Sequence, residues 1–324
     1  MPDTAGATPP ILVTGMPRSG TTWVATMLAS ARRTTYINEP LNPQHPPGRS
    51  PGVLNVDVTD RFQYITDAND ETYRDAYAEL LALRYRIGLE LRVNHTPSDI
   101  ARAARTAGRF TRGRLASRRP LIADPFAVLS TQWFAHRLGC KVVIVVRRPE
   151  AVVSSRKRLG WTYDPRTLRS QPLLDAELLT PLEREHPGVF DPRDGVVDQG
   201  AQLWAVLHLG IARIRREVPD VLVVRHEDLS RDPVAGFRAL AEQLGLPFQP
   251  RMEHAVRRAT SAANPSELAT RDPHRTRLNS AANLDNWRSR LTADEVERIR
   301  RITTSAARPF YADIPELSGQ AVRT

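Results

Sequence analysis

The sequence predicts an α/β protein, a three-layer sandwich in which helices flank a central parallel sheet. Short apolar segments alternate along the chain with segments whose apolar residues recur at helical spacing. Residues 141–146 form a continuous run of β-branched residues after their lysine, which is typical of a strand buried on both faces of a parallel sheet. A helical segment follows from Pro149, a residue suited to the first position of a helix.

The remaining elements are predicted in chain order around this strand. We expect strands at residues 11–14, 35–38, 121–123, 141–146 and 221–224. We expect helices at residues 21–31, 70–91, 126–138, from 149 onward, 198–218, 233–244 and 286–306. Without an internal repeat, these elements favour one domain over residues 11–312, with a flexible lead at 1–10 and a tail at 313–324.

The chain is strongly basic, and nearly all of its positive charge is arginine. Its 324 residues include 46 Lys+Arg against 36 Asp+Glu, for a formal net charge of +10, and only Lys141 and Lys157 are lysines. This charge favours an anionic partner. No basic stripe with interleaved aromatic residues is present, so we expect no nucleic-acid partner. For the arginine-rich segment 102–119, a mobile solvated loop is favoured over a surface for an acidic acceptor.

Several classes of protein are disfavoured by what the sequence lacks. Its single cysteine, Cys140, cannot form an internal disulfide or a cysteine-cluster metal site. No apolar run approaches the roughly 20 residues that span a bilayer, and the N-terminal residues do not resemble a signal peptide. We therefore expect a cytoplasmic protein with no integral membrane association and no metal.

A loop bounded by Gly15 and Gly20 separates the first predicted strand from the first predicted helix. A Walker A loop would read G-x-x-x-x-G-K-[ST], with lysine where this chain has Thr21. Backbone N–H groups and the positive end of the helix still favour an anion there, and Arg18 places a basic side chain inside the loop. The sequence therefore predicts a P-loop-like phosphate site, with an ordinary strand-to-helix turn as the alternative.

The loop residues carry a resemblance to a known family. The segment 17–23, P-R-S-G-T-T-W, resembles the 5′-phosphosulfate loop of sulfotransferases that use 3′-phosphoadenosine 5′-phosphosulfate (PAPS), whose usual form is P-[KR]-[ST]-G-T-T. The resemblance implies that Arg18 stabilises charge on the leaving phosphate oxygen. Trp23 would stack on adenine, although a core position is an equal alternative. The implied donor-binding residues of the loop are Pro17, Arg18, Ser19, Gly20, Thr21, Thr22 and Trp23.

A second motif follows the strand at residues 141–146. Arg147 stands at the strand's carboxyl end and Ser155 follows eight residues later, which resembles the family's 3′-phosphate motif. Ligands of open α/β sheets bind at the carboxyl ends of strands, so the location also fits on physical grounds. Ser154 is an adjacent alternative. In a C-terminal W-R-x-x-L segment, Arg288 or Arg290 could reach the 3′-phosphate, although a solvated helical face is favoured.

Sulfuryl transfer to a hydroxyl requires a general base. Glu39 follows the first helix and a short strand, as the catalytic glutamate does in the polysaccharide branch of the family, so the resemblance assigns it this role. A capping or ion-pairing glutamate is the alternative. The Lys-Thr-His segment of cytosolic small-molecule sulfotransferases is absent, which leaves His45 and His95 as the only histidine candidates.

One departure from the family concerns the segment after the third predicted strand. Related bacterial sequences tend to carry lysine where this chain has Ala123, which puts the efficiency of the enzyme, or its activity, in question. Asp124 beside it is either a second site carboxylate or a cap for the next helix.

The resemblance thus implies a bacterial PAPS-dependent sulfotransferase related to carbohydrate and small-molecule sulfotransferases. It would act on a hydroxyl of a carbohydrate, glycolipid or hydroxylated metabolite by in-line displacement, releasing 3′,5′-adenosine bisphosphate (PAP). An inactive nucleotide- or polyanion-binding protein is one alternative. A P-loop kinase is another, disfavoured by the missing Walker lysine. We expect the acceptor pocket to involve residues 40–66, 92–120 and 161–190.

Overall fold

A computed structural model of the chain describes residues 8–44, 50–267 and 276–318. Its described residues form one sheet of five parallel strands in the order β2-β3-β1-β4-β5. The predicted parallel sheet is confirmed, and each predicted strand overlaps an observed one. The strands are β1 (Ile11–Gly15), β2 (Thr34–Asn38), β3 (Arg119–Ala123), β4 (Lys141–Val146) and β5 (Leu222–Arg225).

At least one helix lies between each pair of successive strands, and crossover connections of this kind allow the strands to run parallel. They are α1 (Thr21–Ala29), α2 (Glu71–Leu81), α3 (Ile87–Val93), α4 (Pro97–Leu115), α5 (Thr131–His136), α6 (Pro149–Leu159), α7 (Pro172–Leu174), α8 (Thr180–Glu185), α9 (Gly195–Glu217), α10 (His226–Arg231), α11 (Pro233–Gln243), α12 (Pro250–Thr260), α13 (Ala293–Ala307) and α14 (Pro315–Ser318). Short 3-10 turns lie at Pro125–Ser130, Pro165–Ser170, Ala282–Leu284 and Asn286–Ser289, and a π turn at Asp175–Leu179.

The core has two layers because alternate residues of each buried strand point to opposite faces of the sheet. Leu12 of β1 belongs to the apolar cluster that includes Trp204 of α9. Its neighbour Val13 belongs to the cluster that includes Val24 of α1 and Phe237 of α11. The predicted three-layer sandwich is therefore confirmed.

The predicted helix at residues 70–91 is two helices, α2 and α3. Leu83 adopts a left-handed backbone with φ of 53°, which ends the helical hydrogen bonding and buries its side chain in the core. The prediction of one continuous helix was therefore wrong, because the chain leaves the helical conformation at Leu83 and buries that side chain.

The arginine-rich segment was predicted as a mobile loop, and this was wrong. It forms α4, a helix of 19 residues. The side chain of Thr96 accepts a hydrogen bond from the Asp99 backbone N–H at 3.2 Å, and the Asp99 carboxylate accepts one from the Thr96 N–H. This reciprocal cap, together with the buried Phe110, fixes the helix, while most of the arginines lie on its solvated side.

The described part of the predicted tail includes α14, whose Leu317 is buried against the core. The domain boundaries themselves stay a prediction. Among the helices that the structure describes, none is long and apolar enough to cross a membrane.

Candidate active site

The loop between β1 and α1 has the features of an anion cradle. The Ser19 N–H donates to the Met16 carbonyl at 2.9 Å, and Gly20 begins α1 in a left-handed conformation with no side-chain cap. The first turn of α1 carries no acidic residue, so no carboxylate competes for its N–H groups. The Ser19 hydroxyl is fully buried without a hydrogen-bond partner among the described residues, and Ser19 lines neither of the clefts described below.

Gly20 is required at its position for two reasons. Its φ is 103°, and a Cβ there would lie 2.6 Å from Cδ2 of His226. His226 follows β5, and burial together with Arg147 holds the pKa of its imidazole well below the ordinary value, so the ring is neutral at neutral pH. Trp23 contacts the His226 ring at a centroid distance of 5.3 Å and the Phe237 ring at 5.2 Å. Trp23 therefore packs against the core and also faces the ligand space.

A first cleft of about 920 Å³, including its open mouth, lies above this loop. It brings together the two predicted motifs, which are far apart in the sequence. Arg18 Nε donates to the Ser155 hydroxyl at 3.0 Å, and Arg147 Nη1 donates to the Arg18 carbonyl at 3.3 Å. Arg18, Arg147 and Ser155 thus line one cleft together with Gly20, Thr21, Thr22 and Trp23.

The first cleft has an excess of positive charge. Its described lining includes four arginines, Arg18, Arg147, Arg158 and Arg290. Glu267 is the only acidic residue of that lining. Burial, reinforced by the neighbouring arginines, lowers the pKa of Arg18 to about 10, which leaves it protonated at neutral pH. Burial also lowers the pKa of Arg147. An anion with more than one charge would offset this repulsion.

The far wall of the cleft comes from the C-terminal third of the chain. Of the two arginines considered there, Arg290 lines the cleft, and its Nη1 donates to the Ser154 hydroxyl at 3.4 Å. Arg288 is exposed and pairs with Asp285 at 3.0 Å. Asn283 accepts from Arg147 Nη2 at 3.3 Å. Sequence reasoning missed Asn283 because it lies in a short 3-10 turn without a motif.

A second, larger cleft of about 1710 Å³, again including its mouth, shares Arg18, Thr21 and Thr22 with the first. Besides these residues and Pro17, its described lining comes from 38–44 with 61–62, from 125–126, and from 156–163 with Leu203. Parts of the expected segments 40–66 and 161–190 are therefore present. No described residue of the expected segment 92–120 lines this cleft; that segment forms the end of α3, α4 and the start of β3.

Glu39 lines the second cleft, directly after β2. Its backbone N–H donates to the Ala123 carbonyl at 2.8 Å, and its Oε2 accepts from Asn42 Nδ2 at 2.7 Å. Its φ of 40° is unusual for a residue other than glycine. Among the described lining residues of this cleft, Glu39 is the only acid.

Asp124 holds the chain that follows Glu39. Its carboxylate accepts from the Leu41 N–H at 2.6 Å and from the Phe126 N–H at 2.9 Å, which confirms the interpretation of Asp124 as a helix cap. Burial raises the pKa of Asp124 to about 8. Ala123 is buried in the core and lines neither cleft.

The histidine candidates for the base are not supported by position. His95 is exposed between α3 and α4 and lines neither cleft. His45 lies outside the described residues.

The chain is similar to known sulfotransferases in sequence. Human carbohydrate sulfotransferase 6 is 31% identical over 211 residues, which cover 60% of this chain and 45% of that protein. Human carbohydrate sulfotransferase 2 is 28% identical over 197 residues, which cover 56% of this chain and 34% of that protein. The chain thus spans less than half the length of these curated relatives.

Solved structures are similar over most of the chain. The sulfotransferase domain of the Synechococcus PCC 7002 olefin synthase has a TM-score of 0.44 at 18% identity, covering 93% of this chain and 96% of that one. Mouse sulfotransferase SULT7A1 in complex with PAP has a TM-score of 0.45 at 13% identity, covering 96% and 88%. The match that decides the family is to the sulfotransferase family itself, over residues 9–250. The chain belongs to the sulfotransferase family.

Proposed function

We propose that the protein transfers the sulfuryl group of PAPS to a hydroxyl group of a carbohydrate, glycolipid or hydroxylated small metabolite. Family membership supports sulfuryl transfer as the general chemistry. The observation that carries the finer proposal is the meeting of the two clefts at Arg18, Thr21 and Thr22. A donor in the first cleft and an acceptor in the second would face each other across these residues, as in-line displacement requires.

The first cleft fits the two charged ends of PAPS. We assign the 5′-phosphosulfate to residues 17–22, because the first turn of α1 lacks an acid and Arg18, Gly20, Thr21 and Thr22 line the first cleft. We assign the 3′-phosphate to Arg147 and Ser155. Arg147 is half-buried and its side-chain hydrogen bonds to the Arg18 carbonyl and to Asn283 are both long, at 3.3 Å, so a phosphate would offer it stronger acceptors.

The chemical step assigns separate roles to Glu39 and Arg18. The Glu39 carboxylate accepts the proton of the acceptor hydroxyl while that oxygen forms a bond to sulfur. The bond between sulfur and the 5′-phosphate oxygen breaks, and PAP leaves with the additional negative charge. Arg18, cationic at neutral pH, stabilises this charge at the point where the clefts meet.

A transfer assay and a binding assay together test this proposal. Protein incubated with radiolabelled PAPS and a panel of sugars, glycolipids and hydroxylated metabolites should transfer label, and PAP should bind more tightly than ATP with Mg²⁺. Tighter binding of ATP with Mg²⁺ would favour a kinase. PAP binding with no transfer to any acceptor would favour the inactive nucleotide-binding alternative.

A further inference from the structure

The second cleft contains a buried arginine that the proposed chemistry does not use. Arg156 lies on α6 and lines this cleft, yet only 3% of the residue is exposed. Its Nε and Nη2 are buried and have no hydrogen-bond partner among the described residues. A buried guanidinium whose donors are unmet is costly, and such groups are rare in folded proteins unless a ligand satisfies them.

The surroundings of Arg156 increase this cost. Burial, reinforced by Arg61 in the same cleft, lowers the pKa of Arg156 to about 10, so Arg156 remains positive at neutral pH. Arg61 lies over the Tyr163 ring at 5.6 Å and donates to the side-chain oxygen of Gln44 at 3.3 Å. Arg156 also lowers the pKa of Arg18. The second cleft thus contains three arginines, Arg18, Arg61 and Arg156, of which the proposed chemistry uses only Arg18.

A comparison with Arg119 separates ligand binding from a structural role. Arg119 is also buried and its Nη2 likewise has no partner among the described residues, but it donates from Nη1 to the Leu244 carbonyl at 2.7 Å and from Nε to the Pro9 carbonyl. These two bonds join β3 to two other segments. No such bond is made by Nε or Nη2 of Arg156, and the Nε atom packs against Gly200 of α9, which offers no side chain.

We propose that the acceptor carries an oxyanion group, such as a carboxylate or a sulfate ester, in addition to the hydroxyl that receives the sulfuryl group, and that Arg156 binds this group with the help of Arg61. The forked donors of arginine match a carboxylate or sulfate in two parallel hydrogen bonds. This inference rests on the proposed function only in treating the second cleft as the acceptor site.

Two matched acceptors test the inference through activity. p-Nitrophenyl β-D-glucuronide and its methyl ester carry the same hydroxyl groups and differ only in whether the carboxyl group is charged. The wild-type protein should favour the glucuronide in kcat/KM by about tenfold or more, the usual effect of one charged hydrogen bond. Arg156→Met should bring the ratio of the two values close to one. Arg166→Gln is the control, because Arg166 is exposed, pairs with Asp164 and lies outside the cleft lining.

Thermal unfolding of the protein saturated with PAP provides a test that needs no turnover. With PAP bound in the first cleft, sodium sulfate should raise the Tm of the wild type more than sodium chloride of equal ionic strength does. Sulfate also stabilises folded proteins in general because it is excluded from their surface, so part of this difference needs no binding site. Arg156→Met and Arg156→Gln should therefore show a smaller difference between sulfate and chloride than the wild type does. Without ligand, neither variant should have a lower Tm than the wild type, whereas Arg119→Met should have one because it removes bonds that join segments.

The outcomes separate the two proposals. Transfer to both glycosides at equal kcat/KM, with equal sulfate effects in the wild type and Arg156→Met, would overturn the anionic acceptor and leave the sulfotransferase proposal standing. A sulfate effect that depends on Arg156, with no transfer to any acceptor, would support the anion site and overturn the proposed activity. A large fall in Tm for both Arg156 variants would show that Arg156 is structural.

Discussion

The two clefts meet at Arg18 but are built from different elements. The first cleft, which we propose as the donor site, is formed by strand ends and by the start of α1, and two of its arginines have an acidic partner: Arg158 and Arg290 pair with Glu267 at 3.0 and 2.7 Å. The second cleft, which we propose as the acceptor site, is formed largely by loops that include Trp161, and Nε and Nη2 of Arg156 have no partner there among the described residues. In our proposal, backbone geometry selects a donor of fixed chemistry, whereas side chains on loops select the acceptor.

The largest expected effect comes from the acceptor side. Glu39→Gln removes the proton acceptor but keeps the shape of the side chain, so transfer should fall by about 10²–10⁴-fold. PAP affinity should stay within about twofold, since Glu39 lines the second cleft and not the first. Initial rates with labelled PAPS and calorimetric titration with PAP measure the two quantities.

Glu242→Gln is the matched control for this experiment, because Glu242 is an exposed glutamate on α11 outside both clefts. Unchanged transfer in Glu39→Gln would remove Glu39 from the mechanism and return the search to a histidine.

A substitution where the clefts meet should affect turnover more than donor binding. Arg18→Ala removes the cation nearest the proposed leaving group and the donor to Ser155, so kcat should fall by about 10²–10³-fold. Binding of PAP should weaken less, because the loop N–H groups and Arg147 remain. Single-turnover rates and PAP titration distinguish the effects. A loss confined to donor affinity would mean that Arg18 only binds.

A backbone change on the donor side should weaken donor binding without touching a charged group. Gly20→Ala introduces a Cβ 2.6 Å from His226 at a φ of 103°, and strain of this kind costs about 1–3 kcal/mol. PAP affinity should fall by about tenfold, and Tm should fall as well. Gly88→Ala is the control, since a Cβ there meets no atom within 4 Å. Equal PAP affinity in Gly20→Ala and the wild type would show that the loop does not bind the donor.

The last prediction concerns stability and not activity, at the aspartate that holds the chain after Glu39. Because burial raises the pKa of Asp124 to about 8, the folded protein holds a proton that the unfolded chain releases near pH 4. The Asp124 contribution to the free energy of unfolding should therefore fall as pH rises from about 4 to 8. Asp124→Asn should flatten this pH dependence in urea unfolding. An equal slope in both proteins would contradict the buried, protonated carboxyl.

Much of the fold and of the first cleft could be predicted from the sequence. The run of β-branched residues at β4 and the glycines at 15 and 20 are local signals, and each specifies its own conformation. Arg18 and Arg147 follow strands, and parallel strands bring their carboxyl ends to one edge of the sheet. Their direct contact thus follows from topology.

The parts that sequence reasoning missed depend on long-range packing. Arg156 reads as one more basic residue on an amphipathic helix, and only the fold shows that α9 buries it at the cleft. Asn283 comes close to Arg147 through a turn without a periodic pattern. Arg290 was one of two candidates in the sequence, where a solvated face was favoured, and only the fold brings it to Ser154. For α4, the sequence did hold a signal, the Thr96–Asp99 cap, which the abundance of arginine obscured.

Our central proposal is that the first cleft binds both charged ends of PAPS. Its most direct test is the affinity for PAP compared with that for 5′-AMP, in the wild type and in Arg147→Ala. The two ligands differ by the 3′-phosphate, which we assign to Arg147 and Ser155. The wild type should bind PAP more tightly by about 2–3 kcal/mol, and Arg147→Ala should lose most of that preference. Equal affinity of the wild type for both ligands, or an unchanged preference in Arg147→Ala, would contradict the account.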